Sequence, residues 1–359
     1  MNKKWKQFSE NLHEKVKEKG IPFSGQFELT ARCNLKCKMC YVCEAPNNKR
    51  VLSDELTADE WIRLAREARD AGMLYILLTG GEVFLRSDFQ RIYENIADLG
   101  LRISIYTNGT LITPEIAKWL GKLCPSCIEV SLYGASPETY KRVTGQADAF
   151  DKAIRGVDLL LSEGVNTQIK TTVIRDNADD QKKLMEIATK RNLLMRFVLY
   201  ISPRRDENGN GCGAIRLSPH EISQYEKKAN NWFLAERNKI LQDCSNSDEI
   251  NTKNNKTDNT AFKCNVGKSD FWITWNGDMI PCVLMDSPRI SVFGRNLSSV
   301  WDEMKEICTD IPACGECKQC ALKNFCYTCP ARLKAETGVF DKISPYLCEW
   351  AKYRKENFS

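Results

Sequence analysis

The stretch Phe27–Cys43, FELTARCNLKCKMCYVC, runs from a short apolar segment straight into four cysteines within eleven residues. The apolar part reads as a strand, and the cysteines crowd the loop behind it. Five further apolar runs take the same form, each followed by a helix signal. They are YILLTGGE from Tyr75, RISIYTNG from Arg102, IEVSLYG from Ile128, TQIKTTVI from Thr167 and MRFVLYI from Met195. Helix starts between them are marked by the capping boxes Thr57-x-x-Glu60 and Ser87-x-x-Gln90. Thr113-Pro114 and Ser136-Pro137 put a cap before a proline at the first helical position. Trp61, Leu64, Ala65 and Ala68, then Ile154, Val157, Leu160 and Leu161, keep helical spacing. Strand–helix alternation six times over predicts an α/β fold with a parallel sheet under helices. A closed barrel needs eight such units, so the expectation is a partial (β/α)6 TIM-like barrel.

The rest of the chain divides by composition. Residues 1–26 carry Trp5, Phe8, Leu12 and Val16 at helical spacing and read as an N-terminal helix; residues 27–205 hold the barrel. Residues 206–262 read as a bridging helix, capped by Ser218-Pro219-His220-Glu221, and a polar linker. Gly209-x-Gly211-x-Gly213 lies outside any strand–helix junction and does not form a dinucleotide fingerprint. Residues 263–359 read as a small cysteine-rich α+β domain. In FWITWNGDMIPC, Phe271, Ile273 and Trp275 alternate up to an Asn-Gly hairpin turn.

Charge and composition narrow the function. The 359 residues include 52 basic and 47 acidic side chains, interleaved, for a net charge of +5, which argues against a nucleic-acid footprint. No apolar run reaches the ~20 residues of a membrane span, and the N-terminal stretch has no signal-peptide core. The expected location is the cytoplasm, where thiols stay reduced. The 17 cysteines, an odd number, therefore point to metal ligation rather than a disulfide framework. With two histidines in the chain, the ligands are thiolates, as in iron–sulfur clusters or cysteine-only zinc.

Cys33, Cys37 and Cys40 form C-x3-C-x2-C at the end of the first strand. Three thiolates on one loop hold three irons of a [4Fe–4S] cube and leave the fourth open to substrate. Spacing alone leaves structural zinc or buried thiols open. Position adds to the cluster reading, because parallel barrels do chemistry at the carboxyl ends of their strands. Other strand ends agree: Thr79-Gly80-Gly81-Glu82, Thr107-Asn108-Gly109 and Ser131-Leu132-Tyr133-Gly134. The two glycines let backbone approach a ligand, and Glu82 is a carboxylate suited to an ammonium group.

These motifs together resemble the radical S-adenosylmethionine (SAM) enzymes over Phe27 to Ser202. The resemblance implies that the C-x3-C-x2-C loop, with Met39 and Tyr41 around its last cysteine, binds the catalytic cluster. It also implies that Gly80, Gly81 and Glu82 meet the SAM amino group, with Asn108 at the neighbouring strand end. Ser131 would face the ribose, and Arg142 the SAM carboxylate. The family's chemistry is one-electron cleavage of SAM to a 5′-deoxyadenosyl radical, which abstracts a substrate hydrogen. Cys43 extends the run and reads as a bystander. Cys124 and Cys127, flanking the fourth strand, read as core thiols, and Cys308 has no assigned role.

The second cysteine set resembles the SPASM extension of these enzymes, which usually holds two auxiliary [4Fe–4S] clusters. By motif position Cys317, Cys320, Cys326 and Cys348 bind the outer cluster, and Cys264, Cys282 and Cys329 the inner one. The last internal spacing is x2 where the family has x3. The inner fourth ligand is assigned to Cys244, with Cys212 and Cys314 as alternatives; a pair of four-cysteine zinc sites is the competing reading. SPASM enzymes mostly modify peptides, so the resemblance implies a ribosomal precursor peptide that gains a crosslink, an epimerised centre or an oxidised residue. It also implies a flavodoxin or ferredoxin electron donor. The alternatives are a small molecule (a tetrapyrrole side chain or an amino-cyclitol) and a non-catalytic zinc module. Val283 follows Cys282 where sulfatase-maturing relatives place an aspartate, which disfavours that activity. Asp286 is the nearest downstream carboxylate and a candidate base, and Tyr106, Tyr133 and Tyr200 are candidate hydrogen donors or packing aromatics.

Overall fold

The computed structural model describes residues 3–202, 212–243 and 261–358. Six parallel strands run in chain order: β1 (Ser24–Glu28), β2 (Tyr75–Thr79), β3 (Arg102–Thr107), β4 (Cys127–Ser131), β5 (Thr167–Thr172) and β6 (Met195–Val198). Each pairs with its chain neighbour in parallel register, for example Glu28 with Thr79, Tyr106 with Glu129, and Lys170 with Ser131 and Arg196. Helices connect them, among them Ala58–Asp70, Phe89–Ala97, Pro114–Leu123, Ala149–Ser162 and Gln181–Thr189. The expected α/β partial barrel is this sheet.

Alternation decides what each strand face does. Phe27, Leu78, Ile103, Ile105, Ile128, Val130 and Ile169 are buried against the helices. The opposite face carries Gln26, Leu77, Ser104, Tyr106 and Glu129 around a cavity of about 350 Å³. The strands are therefore apolar outward and largely polar inward.

The hairpin after the linker does not stand apart. β7 (Asp270–Ile273) pairs in parallel with β1, Ser24 against Asp270 and Phe27 against Ile273. β8 (Asp278–Ile280) and β9 (Ile290–Ser291) continue the sheet antiparallel, giving the order β6-β5-β4-β3-β2-β1-β7-β8-β9. One hydrophobic core follows it across: Trp61 packs on Phe27 at 5.0 Å between ring centres, Phe27 faces Phe271 at 6.4 Å, and Phe271 meets Trp301 at 5.9 Å. All four rings are buried, each worth about 1.5–3 kcal/mol. Gly25 makes room for this, since a Cβ there would lie 2.7 Å from the Phe271 ring. The Asn276-Gly277 turn forms as expected, with Gly277 at φ +83°.

Most caps sit where the sequence puts them. Thr57 and Glu60 make the reciprocal capping box, and so do Ser218 and Glu221. Thr113 and Ser136 accept from the backbone N–H three residues on. Ser87 is different: Asp88 precedes the helix Phe89–Ala97, and no side chain caps it. Arg86 holds the Asp88 carboxylate at 2.8 Å and so sets this turn. Cys124 is not a core thiol; it is exposed and closes helix Pro114–Leu123 in the left-handed conformation, φ 48°. Cys127 is half-buried and lines the barrel cavity.

Candidate active site

At the carboxyl end of β1 the chain turns into the cysteine loop, and the β2 loop lies directly against it. Gly81 donates its N–H to the Thr30 carbonyl at 2.7 Å, and Glu82 to the Arg32 carbonyl at 2.9 Å. A Cβ on Gly80 would sit 2.4 Å from Thr30 O, and one on Gly81 2.3 Å from Arg32 O. The glycines thus admit the chain's own cysteine loop, where the sequence reading had them admit a ligand. Beneath this contact lies a buried brace. Glu55 pairs with Arg32 at 2.8 Å and with Arg86 at 3.4 Å, and also accepts from Thr30. Arg86 in turn donates to the Leu29 carbonyl at 2.8 Å.

The strap delivers Glu82 into a fully buried socket. Its carboxylate accepts from the Thr107 hydroxyl at 2.7 Å, the Asn108 N–H at 2.7 Å and the Phe84 N–H at 3.2 Å. Burial pushes its carboxyl up to about 7 against these three donors. A fixed cation is absent from the socket among the described residues. Asn108 also reaches across, donating to Asn34 at 2.9 Å and to Cys33 Sγ at 3.7 Å.

Cys33, Cys37 and Cys40 are close enough for their charges to act on one another in sequence, Cys33 on Cys37 and Cys37 on Cys40. Burial pushes the Cys33 thiol up to about 12 and Cys37 well above its ordinary value. For Cys40 the hydrogen bond with Cys43 comes first and burial second, with the same upward result. Thiols so shielded ionise only against a compensating metal. Among the described residues no three Cys, His, Asp or Glu side chains gather around one point as ligands of a single ion do. Three cysteines on one loop suit a cube, whose irons sit at separate corners with one cysteine each.

The other expected residues are distributed unevenly. Ser131 is buried at the end of β4 beside the Tyr133 side chain, which in turn lies beside Cys37. Tyr133 thereby links the ribose-facing strand of the resemblance to the cysteine loop. Met39 packs on Val143, Ile174, Ile201 and Cys212, and Tyr41 meets Trp272 edge-on at 6.5 Å. Arg142 is exposed and bonds Thr139 and the Asp176 carbonyl. Tyr200 is buried elsewhere, donating to Glu336 at 2.9 Å. Asp286 is mostly exposed and pairs with Lys334 at 3.1 Å. Burial opposes its charge, but Lys334 prevails and holds the carboxyl below its usual range, which makes it a weak base.

Two more thiol groups form beyond the hairpin. Cys264, Cys282 and Cys329 act on one another, and Cys308, unassigned from sequence, acts with Cys264. Cys317, Cys320, Cys326 and Cys348 form the other group. Cys314 belongs with this group, beside Cys317, and not with the inner one. Cys212 lies near Arg216 and Glu336 instead. Cys244 is outside the described residues.

Sequence reasoning missed the Thr107 clamp, the Glu55 brace and a charge cluster inside the barrel. There Glu129 binds Arg196 at 2.6 Å and Lys170 at 3.0 Å, and Lys170 lies over the Tyr106 ring at 3.3 Å. The only trace in the sequence is a single charge in each of IEVS, TQIK and MRFV.

A partial parallel barrel, a thiol loop at its carboxyl end and a buried carboxylate beside that loop define an enzyme that works at this face. Residues 27–188 match the sequence profile of the radical SAM superfamily. The chain carries a radical SAM domain. It is similar to the AdoMet-dependent heme synthase of Methanosarcina barkeri, 27% identical over 340 residues that cover 89% of this chain and 94% of that one. It is also similar to the mycofactocin maturase MftC of Mycolicibacterium smegmatis, 26% identical over 62% of this chain and 55% of that one. Among solved structures, SuiB of Streptococcus suis bound to S-adenosylmethionine shares the fold, with a TM-score of 0.68 at 18% identity over 90% of this chain and 77% of that one. No helix among the described residues is long and apolar enough to cross a membrane.

Proposed function

We propose that this radical SAM enzyme abstracts a hydrogen from one residue of a ribosomally made precursor peptide, leaving a crosslink, an epimerised centre or an oxidised side chain. Cys33, Cys37 and Cys40 hold the SAM-binding [4Fe–4S] cluster, and Glu82 receives the SAM ammonium group in its Thr107–Asn108 socket. When bound, the reduced cluster supplies the electron that splits SAM and yields the 5′-deoxyadenosyl radical. Ser131 and Tyr133 set the nucleoside side of the site, and the Glu55 brace keeps the cysteine loop against the β2 strap. In the remainder of the chain, residues 263–359, Cys317, Cys320, Cys326 and Cys348 hold an outer auxiliary cluster. Cys264, Cys282 and Cys329 hold an inner one, with Cys244 or Cys308 as its fourth thiol. A flavodoxin or ferredoxin in the cytoplasm supplies the electron.

The observation that carries the peptide reading is the fold shared with SuiB of Streptococcus suis, which is also solved bound to precursor peptide SuiA. The similarity to the mycofactocin maturase agrees. A second reading, action on a tetrapyrrole side chain, is favoured by the heme synthase match along nearly the full length of both chains. Anaerobic incubation of the reconstituted protein with SAM and dithionite separates them. The peptide reading expects 5′-deoxyadenosine together with a mass or stereochemical change in the peptide encoded beside this gene. Deoxyadenosine with an unchanged peptide but consumed Fe-coproporphyrin III overturns it in favour of the second.

A further inference from the structure

The inward faces of β3 to β6 carry a charge cluster that neither the SAM socket nor the thiol groups use. We propose that Lys170 and Arg196, held by Glu129, form a docking site for a carboxylate of the substrate. The inference rests on the barrel interior being the substrate's space, whichever substrate class enters it.

Glu129 is engaged from two sides. Arg196 grips it as a fork, Nε to Oε2 at 3.0 Å and Nη2 to Oε1 at 2.6 Å, while Lys170 Nζ sits 3.0 Å from Oε1. Among the described residues, Glu129 is the one carboxylate whose charge bears on either cation. Two cations on one carboxylate leave an excess of +1. A structural ion pair needs one partner, and the surplus here sits on a half-exposed guanidinium that an incoming anion can reach. Burial drives the Lys170 ammonium down to about 8 even though Glu129 opposes the shift.

Lys170 and Arg196 do not line the barrel cavity themselves but touch two residues that do, Tyr106 and Glu129. The Glu129 and Lys170 side chains are 6% and 15% exposed, against 51% for Arg196, so the guanidinium is the accessible pole. Arg196 Nη1 makes no hydrogen bond among the described residues, and Nη2 also touches the Tyr106 hydroxyl at 3.3 Å. Guanidinium forks read carboxylates with two parallel bonds. Tyr106 and Glu129 line the 350 Å³ cavity. Strand register sets the position: Lys170 pairs with Ser131 on one side and Arg196 on the other. A carboxylate held there is one strand away from the nucleoside side of the SAM site. On the far wall Gln26 binds Asp270 at 2.7 Å and Trp272 donates to Glu28 at 3.2 Å.

The test is protection of Lys170 in the reconstituted full chain. Amines are dimethylated with formaldehyde and a borane at pH 8, and Lys170 is followed by mass spectrometry. Four probes compete: Gly-Glu-Gly, Gly-Gln-Gly, Fe-coproporphyrin III and its tetramethyl ester. The acids should slow Lys170 labelling about tenfold relative to the amide or ester, the worth of one charge-assisted hydrogen bond, with other lysines unaffected. Arg196→Gln should abolish that protection while Lys170 stays reactive. Protection by the peptide acid alone or by the porphyrin acid alone supports the site and identifies the source of the carboxylate. No protection by either acid, or equal protection by the neutral analogues, overturns it. The deoxyadenosine assay is independent of this labelling, so failure of the peptide reading and failure of the docking site are told apart.

Discussion

At Glu82, burial pushes the carboxyl up to about 7 while three donors favour the ionised form. Near neutral pH the buried socket of the free protein is therefore partly protonated, and the SAM ammonium group of the proposed function requires the ionised carboxylate. SAM affinity should therefore rise as pH increases through about 7 and then level off, measured by equilibrium dialysis on reconstituted protein. Glu82→Gln should lose about 1.5–3 kcal/mol of that affinity and flatten the pH dependence. A second residue-scale prediction concerns iron. Replacing Cys33, Cys37 and Cys40 together by alanine should remove about four of about twelve irons per chain; loss of all iron would deny the auxiliary clusters. Cys-x3-Cys-x2-Cys and Thr-Gly-Gly-Glu were legible because each is a local pattern with one chemical use. Lys170 and Glu129 were not read, because a lone charge in a strand shows its meaning only when its neighbours' register is known.

At the scale of elements, the loops at the strand ends are braced by tertiary contacts. Glu55→Ala leaves Arg32 and Arg86 buried without their shared carboxylate. That should cost about 3–5 kcal/mol in denaturant titration, with Glu55→Gln milder. Gly81→Ala forces a Cβ to 2.3 Å from a backbone oxygen that cannot yield. It should lower thermal stability by about 1–3 kcal/mol and weaken SAM binding, because the same strap carries Glu82. Thr57, Thr113, Ser136 and Ser218 were readable as caps since capping is settled within four residues. Ser87 was misread because an ion pair from Arg86 to Asp88 outcompetes its hydroxyl for the same turn.

For the whole molecule, the continuous sheet matters most. A chain ending before Asp270 bares the β1 edge and strips Phe271 and Trp301 from the core shared with Phe27 and Trp61. Exposed edges of this kind pair with other chains, so the truncated protein should run as aggregates in size-exclusion chromatography and bind a hydrophobic dye. The six parallel strands were visible in the sequence because each brings its own helix. The pairing of β7 with β1 was not, since the partners are remote in the chain and pairing leaves no local trace.

β1 leads to Cys33 at one end of the sheet, while β8 runs back beside β7 and releases Cys282 near the level of Ser24. Five strand residues at about 3.3 Å each, roughly 15 Å of paired backbone, thus separate the levels at which the two thiol loops leave the sheet. Were iron held at both, that hydrogen-bonded ladder would be the shortest scaffold between them.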